Sequence, residues 1–277
     1  MKHLLCFGFG FSAQHLAAIL DNSEWRISGT SRSAEGVAAI NALGHEGLLF
    51  DELKSIPVTV THILSSIPPD KSGDPVLCQF AGALTAQHFE WAAYLSTTGV
   101  YGDRSGAVID ETAELRPNGE RGQARADAEH EWQAITNLPL HIFRLPGIYG
   151  PGRNQLVSVK DGTAKRIIKA DQIFSRIHVE DIAGILKASI TKPNPRQIYN
   201  VADDEPCPPQ DVVTYACELL GVAPPPEIPF EQAELSPMAR SFYADSKRVS
   251  NARIKTELGY QLKYPNYRVG LTALLKN

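Results

Sequence analysis

Along the first half of the chain, short apolar runs alternate with amphipathic stretches. "HLLCFG" reads as a short buried strand closed by glycine, and "SAQHLAAIL" as a helix with Leu16, Ile19 and Leu20 on one face. "WRISGT" predicts a second strand, "AEGVAAINAL" a helix that stops at Gly44, "EGLLF" a third strand and the β-branched "VTVTHILSS" a fourth. "VLCQFAGALTAQHF" follows as a helix and "WAAYLST" as a fifth strand. Strands separated by helices pair in parallel through right-handed crossovers, which covers both faces of the sheet. The pattern therefore predicts an α/β fold with a doubly wound parallel sheet over residues 1–150, completed by segments near 176–202. Beyond Gly150 the regularity falls and prolines cluster at Pro193, Pro195, Pro206, Pro208, Pro209 and Pro224 to Pro226. Residues 151–277 are expected to form mainly a smaller C-terminal substrate lobe.

Composition narrows this picture only slightly. A chain of 277 residues with 43% hydrophobic and 21% charged positions suits one large α/β domain or a domain with an appendage. A net charge of −4 and the lack of a basic run give no reason to expect nucleic acid or an anionic membrane as partner. Cys6, Cys78, Cys207 and Cys217 are scattered, with no CxxC pair and no neighbouring His cluster, so reduced thiols in a cytoplasmic protein are expected, with no metal site. The opening "MKHLLCFGFGF" has a Lys before an apolar stretch, but Gly8, Gly10, Ser12, Gln14 and His15 break it up as a leader. No later run approaches the ~20 apolar residues that span a bilayer.

Candidate chemistry begins at "GFGFSA", Gly8 to Ala13, a GxGxxA turn between the first strand and first helix. Gly8 permits the tight turn and Gly10 lets the backbone approach a pyrophosphate. Phe11 and Ser12 open a helix whose N–H groups and dipole favour that anion, and Ala13 allows close packing. Within a strand–turn–helix context this marks a Rossmann-type dinucleotide site. At the tip of the second strand, "GTSRS" carries no acid to take a ribose 2′-OH, whereas Ser31 and Arg32 suit a 2′-phosphate. NADP is therefore expected, with NAD as the alternative. Asp51 is placed to meet the adenine edge, and Ser65, Ser66 and Ile67 lie at the end of the fourth strand, where ligands of such sheets sit.

Four further stretches follow in order: "YLSTTGVYGD" (94–103), "RLPGIYGPGR" (144–153), "RIHVEDIA" (176–183) and "YNVADDEP" (199–206). With the glycine turn, they resemble an extended short-chain dehydrogenase/reductase of the NAD-dependent epimerase/dehydratase type over nearly the whole chain. The tail "YADSKRVSNARIKTELGYQLKYPNYRVGL" more narrowly resembles the atypical YeeZ-like group. The resemblance implies an oxidoreductase or epimerase acting on a nucleotide sugar or another small carbonyl or alcohol. It also implies pairing of two copies through the helices after the fourth and fifth strands.

By the same resemblance Thr97 polarises the substrate, the alternative being that it ends a strand and caps a loop, and Tyr101 faces the active-site mouth or packs. The family expects a YxxxK pair on the next helix, with the tyrosine as acid/base. Here "RGQARADAE" (121–129) places Arg121 and Arg125 at those positions. Arg125 can hold ribose hydroxyls. Arg121 cannot serve as the acid/base, because a guanidinium is a permanent cation and a donor only. Alternatively, both merely flank a buried stripe of Ala124, Ala128, Trp132 and Ile135. Pro146 is expected against the nicotinamide ring. Arg153, His178, Lys247 and Arg248, with Arg121, are expected toward the substrate, and Asp181 as a helix cap. The literal YxxxK at Tyr243–Lys247 comes too late to be the catalytic pair. A catalytically silent sensor of NADP(H) acting through a partner is the alternative to an enzyme.

Overall fold

The computed structural model describes residues 1–276. The chain runs through β1 (Lys2–Phe7), α1 (Phe11–Ile19), β2 (Trp25–Ser31), α2 (Ala34–Ala42), β3 (Glu46–Leu49), β4 (His62–Ser65), α3 (Pro75–Ala86) and β5 (Trp91–Thr97). A two-residue β6 (Val108–Ile109) precedes α4 (Glu120–Ala134), β7 (Leu140–Leu145) and β8 (Gly147–Tyr149). Then come α5 (Gln155–Lys160), β9 (Arg166–Ile168), β10 (Arg176–His178), α6 (Val179–Thr191) and β11 (Ile198–Asn200). The tail holds α7 (Pro209–Leu220), β12 (Glu227–Pro229), α8 (Pro237–Phe242), β13 (Arg248–Val249), α9 (Ala252–Thr256) and α10 (Tyr267–Lys276).

Seven strands form one parallel sheet in the order β11-β7-β5-β4-β1-β2-β3. The doubly wound Rossmann-type architecture is thus present. Chain order reverses beside β1, so β1 and β4 splay their following helices to opposite faces and leave a crevice at their carboxyl ends. Leu4, Leu16, Leu64, Ile182 and Leu186 pack on one face, and Phe7, Phe80, Tyr94 and Trp132 on the other. The helix starts are set locally. Ser33 accepts from Gly36 N at the head of α2, and Asp74 accepts from Val76 N and Leu77 N ahead of Pro75 in α3.

Two expectations change. The fourth strand is only His62–Ser65, because the segment before it bends away and leaves Val58 91% exposed. Of the late segments, only β11 completes the main sheet. β10 pairs instead with β8, which leaves the sheet directly after Pro146. This small β8–β10 pair lies between the sheet and a lobe with two cores, one around Tyr149, Leu156, Val212 and Tyr267, the other around Ile167, Ala233 and Tyr243. Among the described residues no helix is long and apolar enough to cross a membrane, and no three His, Cys, Asp or Glu gather as metal ligands.

Candidate active site

The carboxyl edge of the sheet brings together the ends of β1, β2, β4, β5 and β7. Gly8 has φ +82°, a left-handed conformation, and a Cβ there would lie 2.9 Å from Ser66 Oγ. The turn is pinned from both sides. Gly8 N donates to Thr30 Oγ1 at 2.9 Å, Phe9 N to Thr30 O at 3.1 Å, and Ser66 Oγ to Gly8 O at 2.8 Å. Gly10 needs no special backbone, yet a Cβ there would meet nothing within 4 Å. It precedes α1 without a side-chain cap, and the first main-chain helical bond runs from Gln14 N to Gly10 O. The N–H groups opening α1 therefore face an open approach, the arrangement a helix N-terminus offers an anion.

Cations border this cradle. Arg153, on the turn after β8, lies with its guanidinium 5.9 Å from the Phe11 ring, and so stands beside the head of α1. Arg32 is exposed at the tip of β2 and makes no hydrogen bond among the described residues. Ser31 Oγ accepts from Ser33 N, and Asp51 is exposed in the turn after β3. Ser65 closes β4 with its hydroxyl buried and unpartnered, and Ser66 and Ile67 are half-buried beside Gly8. Ser12 is buried at the start of α1.

On the neighbouring strands, Thr97 ends β5 opposite Leu145, and half-buried Pro146 follows directly. Thr97 Oγ1 accepts from Gly99 N at 3.1 Å, which leaves its own hydrogen free to donate. The two arginines of α4 part company. Arg125 Nη1 donates to Leu95 O at 2.6 Å and Tyr94 Oη at 3.2 Å, tying the helix to β5 one residue beyond its last pairing with β4. Arg121 is exposed, with no hydrogen bond or ion pair among the described residues.

Several expected contacts are corrected by burial. Tyr101 is 0% exposed; its hydroxyl accepts from Arg144 Nη1 and donates to Asn200 Oδ1, and burial raises its pKa. It packs as an internal strut, the second of the two roles expected for it. His178 is equally enclosed. Its Nδ1 accepts from Glu180 N at the head of α6, its ring packs 3.9 Å from that of Tyr264, and burial pushes its pKa down to about 4. His178 is therefore the cap that Asp181 was expected to be. Asp181 lies inside the helix and accepts from Lys263 N, Tyr264 N and Tyr260 Oη. Lys247 donates to Gly102 O and Asp245, and Arg248 to Gly106 O, so both are engaged in fastening the tail to the loop after β5, where a substrate contact was expected.

Residues outside the expected set hold the site together. Glu129, one turn beyond Arg125, is fully buried. It receives Ser96 Oγ at 2.5 Å and a two-pronged pair from buried Arg144, with Nη2 to Oε2 at 2.6 Å. Arg144 continues to Tyr101, Asn200 and, through Asn200 N, Glu111. This chain locks α4 against β5, β7 and β11, and so fixes where Thr97 and Arg125 stand. The sequence signalled only the Arg of "RLPGIYGPGR", a guanidinium in the largely apolar run from Leu140 to Leu145; Glu129 stands among polar neighbours, where nothing marks it as buried.

Comparison with known proteins places this geometry. No family model matches the chain. It is 26% identical to Protein YeeZ of Escherichia coli K12 over 96% of this chain and 97% of that protein. It shares 26% identity with a 3-diazoavenalumate denitrifying reductase of Streptomyces, covering 89% of each. Among solved structures it superposes on a conserved protein of unknown function from Silicibacter pomeroyi with TM-score 0.95 and 53% identity, covering 100% of this chain and 99% of that one. A candidate NAD-dependent epimerase/dehydratase from Methylobacillus flagellatus gives TM-score 0.76 and 25% identity, over 99% and 97%. These likenesses support an atypical short-chain dehydrogenase/reductase of the epimerase/dehydratase type. Human SDR39U1, a member solved with NADPH, shares the fold at TM-score 0.74 and 17% identity over the full length of both. This chain keeps the glycine cradle open and carries arginines in the first two turns of α4.

Proposed function

We propose that this protein binds a nicotinamide dinucleotide, NADP(H) in preference to NAD(H), and uses it to interconvert a small carbonyl and alcohol. The observation that carries this reading is the unfilled approach at Gly10 beneath the unbonded N–H groups of α1. Arg153 and Arg32 suit the two phosphate-bearing ends, and Ser31 with Arg32 offers a hydroxyl and a guanidinium to a 2′-phosphate. The relatives solved or named with NADPH and as a reductase support the same reading. When bound, the dinucleotide supplies the hydride. The chain's own part is positional: Thr97 donates its free hydroxyl hydrogen to a substrate oxygen, Pro146 bounds the ring side, and Arg125 keeps α4 against β5. A nucleotide sugar is one substrate class consistent with the family.

A second reading is a silent NADP(H) sensor acting through a partner. It is favoured by the buried state of Tyr101 and His178 and by the arginine, Arg121, at the place where the resemblance expects the acid/base tyrosine. Calorimetric titration of NADP+, NADPH, NAD+ and NADH tests the binding reading. NADP(H) is expected to bind at least tenfold tighter, and Arg32→Glu to abolish that difference. Equal affinities in the wild type, or no binding, refute it. Steady NADPH oxidation with any sugar nucleotide or aldehyde eliminates the sensor.

A further inference from the structure

We propose that the seam between the sheet mouth and the C-terminal lobe contains an oxyanion subsite, in which Arg176 receives a carboxylate or phosphate group of the substrate beside Tyr267 and Asp203. Arg176 opens β10 in register with exposed Gly147, the residue after Pro146. Its neighbour Ile177 faces the sheet core, so by strand alternation Arg176 turns to the lobe. There its guanidinium lies 5.8 Å from the Tyr267 ring.

The arginine is under-used. Nη1 donates to Phe174 O at 3.2 Å and to Cys207 Sγ at 2.9 Å, the latter a weak acceptor. Its other donors have no partner, and no carboxylate stands within ion-pair distance among the described residues. Arg144, two strands away, shows the opposite: every prong is matched. The free donors are not among the buried unmatched atoms, so they face accessible space, from which a guanidinium can pair an anion.

Two further groups around it are unmatched. Asp203, 2% exposed, donates its main-chain N–H to Arg176 O at 2.7 Å, and its Oδ2 has no partner. Tyr267, 1% exposed, has an unpartnered hydroxyl. Burial pushes the Asp203 carboxyl up to about 8, so at neutral pH it is mainly an uncharged donor and does not neutralise Arg176. A neutral acid and a phenol beside a guanidinium make a setting for a negative group. Thr97 pairs Leu145, and Gly147 pairs Arg176, so the path from Thr97 to Arg176 is no more than roughly 16 Å at ordinary strand spacings. That the anion belongs to a substrate rests on the redox reading above; the subsite itself does not.

The test uses the full chain, with the cradle filled by whichever dinucleotide binds. Melting is followed in sodium phosphate, sodium pyruvate and sodium chloride at constant ionic strength, for wild type and Arg176→Gln. At fifty times its Kd an anion should raise the wild-type Tm by about 5 °C and the variant's by less than about 1 °C. A rise with phosphate alone identifies a phosphoryl group, and with pyruvate alone a carboxylate. Equal rises in both proteins, or none, overturn the proposal. If Arg176→Gln does not fold, phenylglyoxal labelling of wild-type Arg176, read by peptide mass, decides instead. Slowing by phosphate or pyruvate supports the subsite, and unchanged labelling overturns it. Failure of every dinucleotide to bind sinks the redox reading alone, because the anion comparison can be run on the free protein.

Discussion

Replacing Gly10 by valine should separate the fold from its ligand. Gly10 has φ −87° and ψ −162°, an extended conformation open to any L residue, and a Cβ there touches nothing within 4 Å. The loss of a glycine N-cap should cost at most about 1 kcal/mol of stability. The same side chain would occupy the space through which a pyrophosphate approaches the head of α1. Two charge-assisted hydrogen bonds from main-chain N–H groups would lengthen or break, at about 1.5–3 kcal/mol each. Dinucleotide affinity should therefore fall by roughly 10²- to 10⁴-fold. Urea unfolding without ligand gives the first quantity and calorimetry with NADPH the second. Gly8→Ala is the internal contrast. At φ +82° and 2.9 Å from Ser66 Oγ it should lose about 1–2 kcal/mol of stability before any ligand is added. The reasoning is refuted if Gly10→Val binds NADPH like the wild type, or if it is destabilised by more than about 2 kcal/mol.

Other outcomes follow from the same geometry. Glu129→Gln leaves the Arg144 charge buried without a counter-ion and should cost about 3–5 kcal/mol in urea unfolding, whereas Glu129→Leu with Arg144→Met should cost less than Glu129→Gln alone. Tyr101→Phe should lose about 1–3 kcal/mol of stability and leave any turnover within a few-fold of wild type; a loss of activity beyond a hundredfold would restore Tyr101 to the chemistry. Asp203 faces Arg176 on β10, Tyr149 on β8, and Asp204, Glu205 and Cys207 on its own loop. Its folded pKa, raised to about 8, exceeds its unfolded value near 4, so the folded state holds the proton longer. This group's stabilising contribution is whole below about pH 4 and declines as pH rises to about 8, by at most roughly 1.4 kcal/mol per unit. Asp203→Asn should flatten unfolding free energy over that window; an unchanged slope would show that the carboxyl ionises normally.

The sequence by itself determined the sheet and the cradle. Alternating apolar runs and amphipathic stretches decide which segments are strands and which are helices, and a strand–turn–helix carrying Gly8, Gly10 and Ala13 has one economical use. These signals are local, because periodicity and glycine freedom act over a few residues. What sequence could not supply was depth. Tyr101, His178, Lys247 and Arg248 look reactive in a motif, but only packing reveals that each is already bonded inside the molecule. Conversely, Glu129 and Arg144 are 15 positions apart and Arg176 and Asp203 are 27 apart, so their meeting follows from how helices and strands stack. A side chain's charge, pKa and freedom to touch a ligand depend on which distant groups surround it, and that is decided only by the tertiary structure.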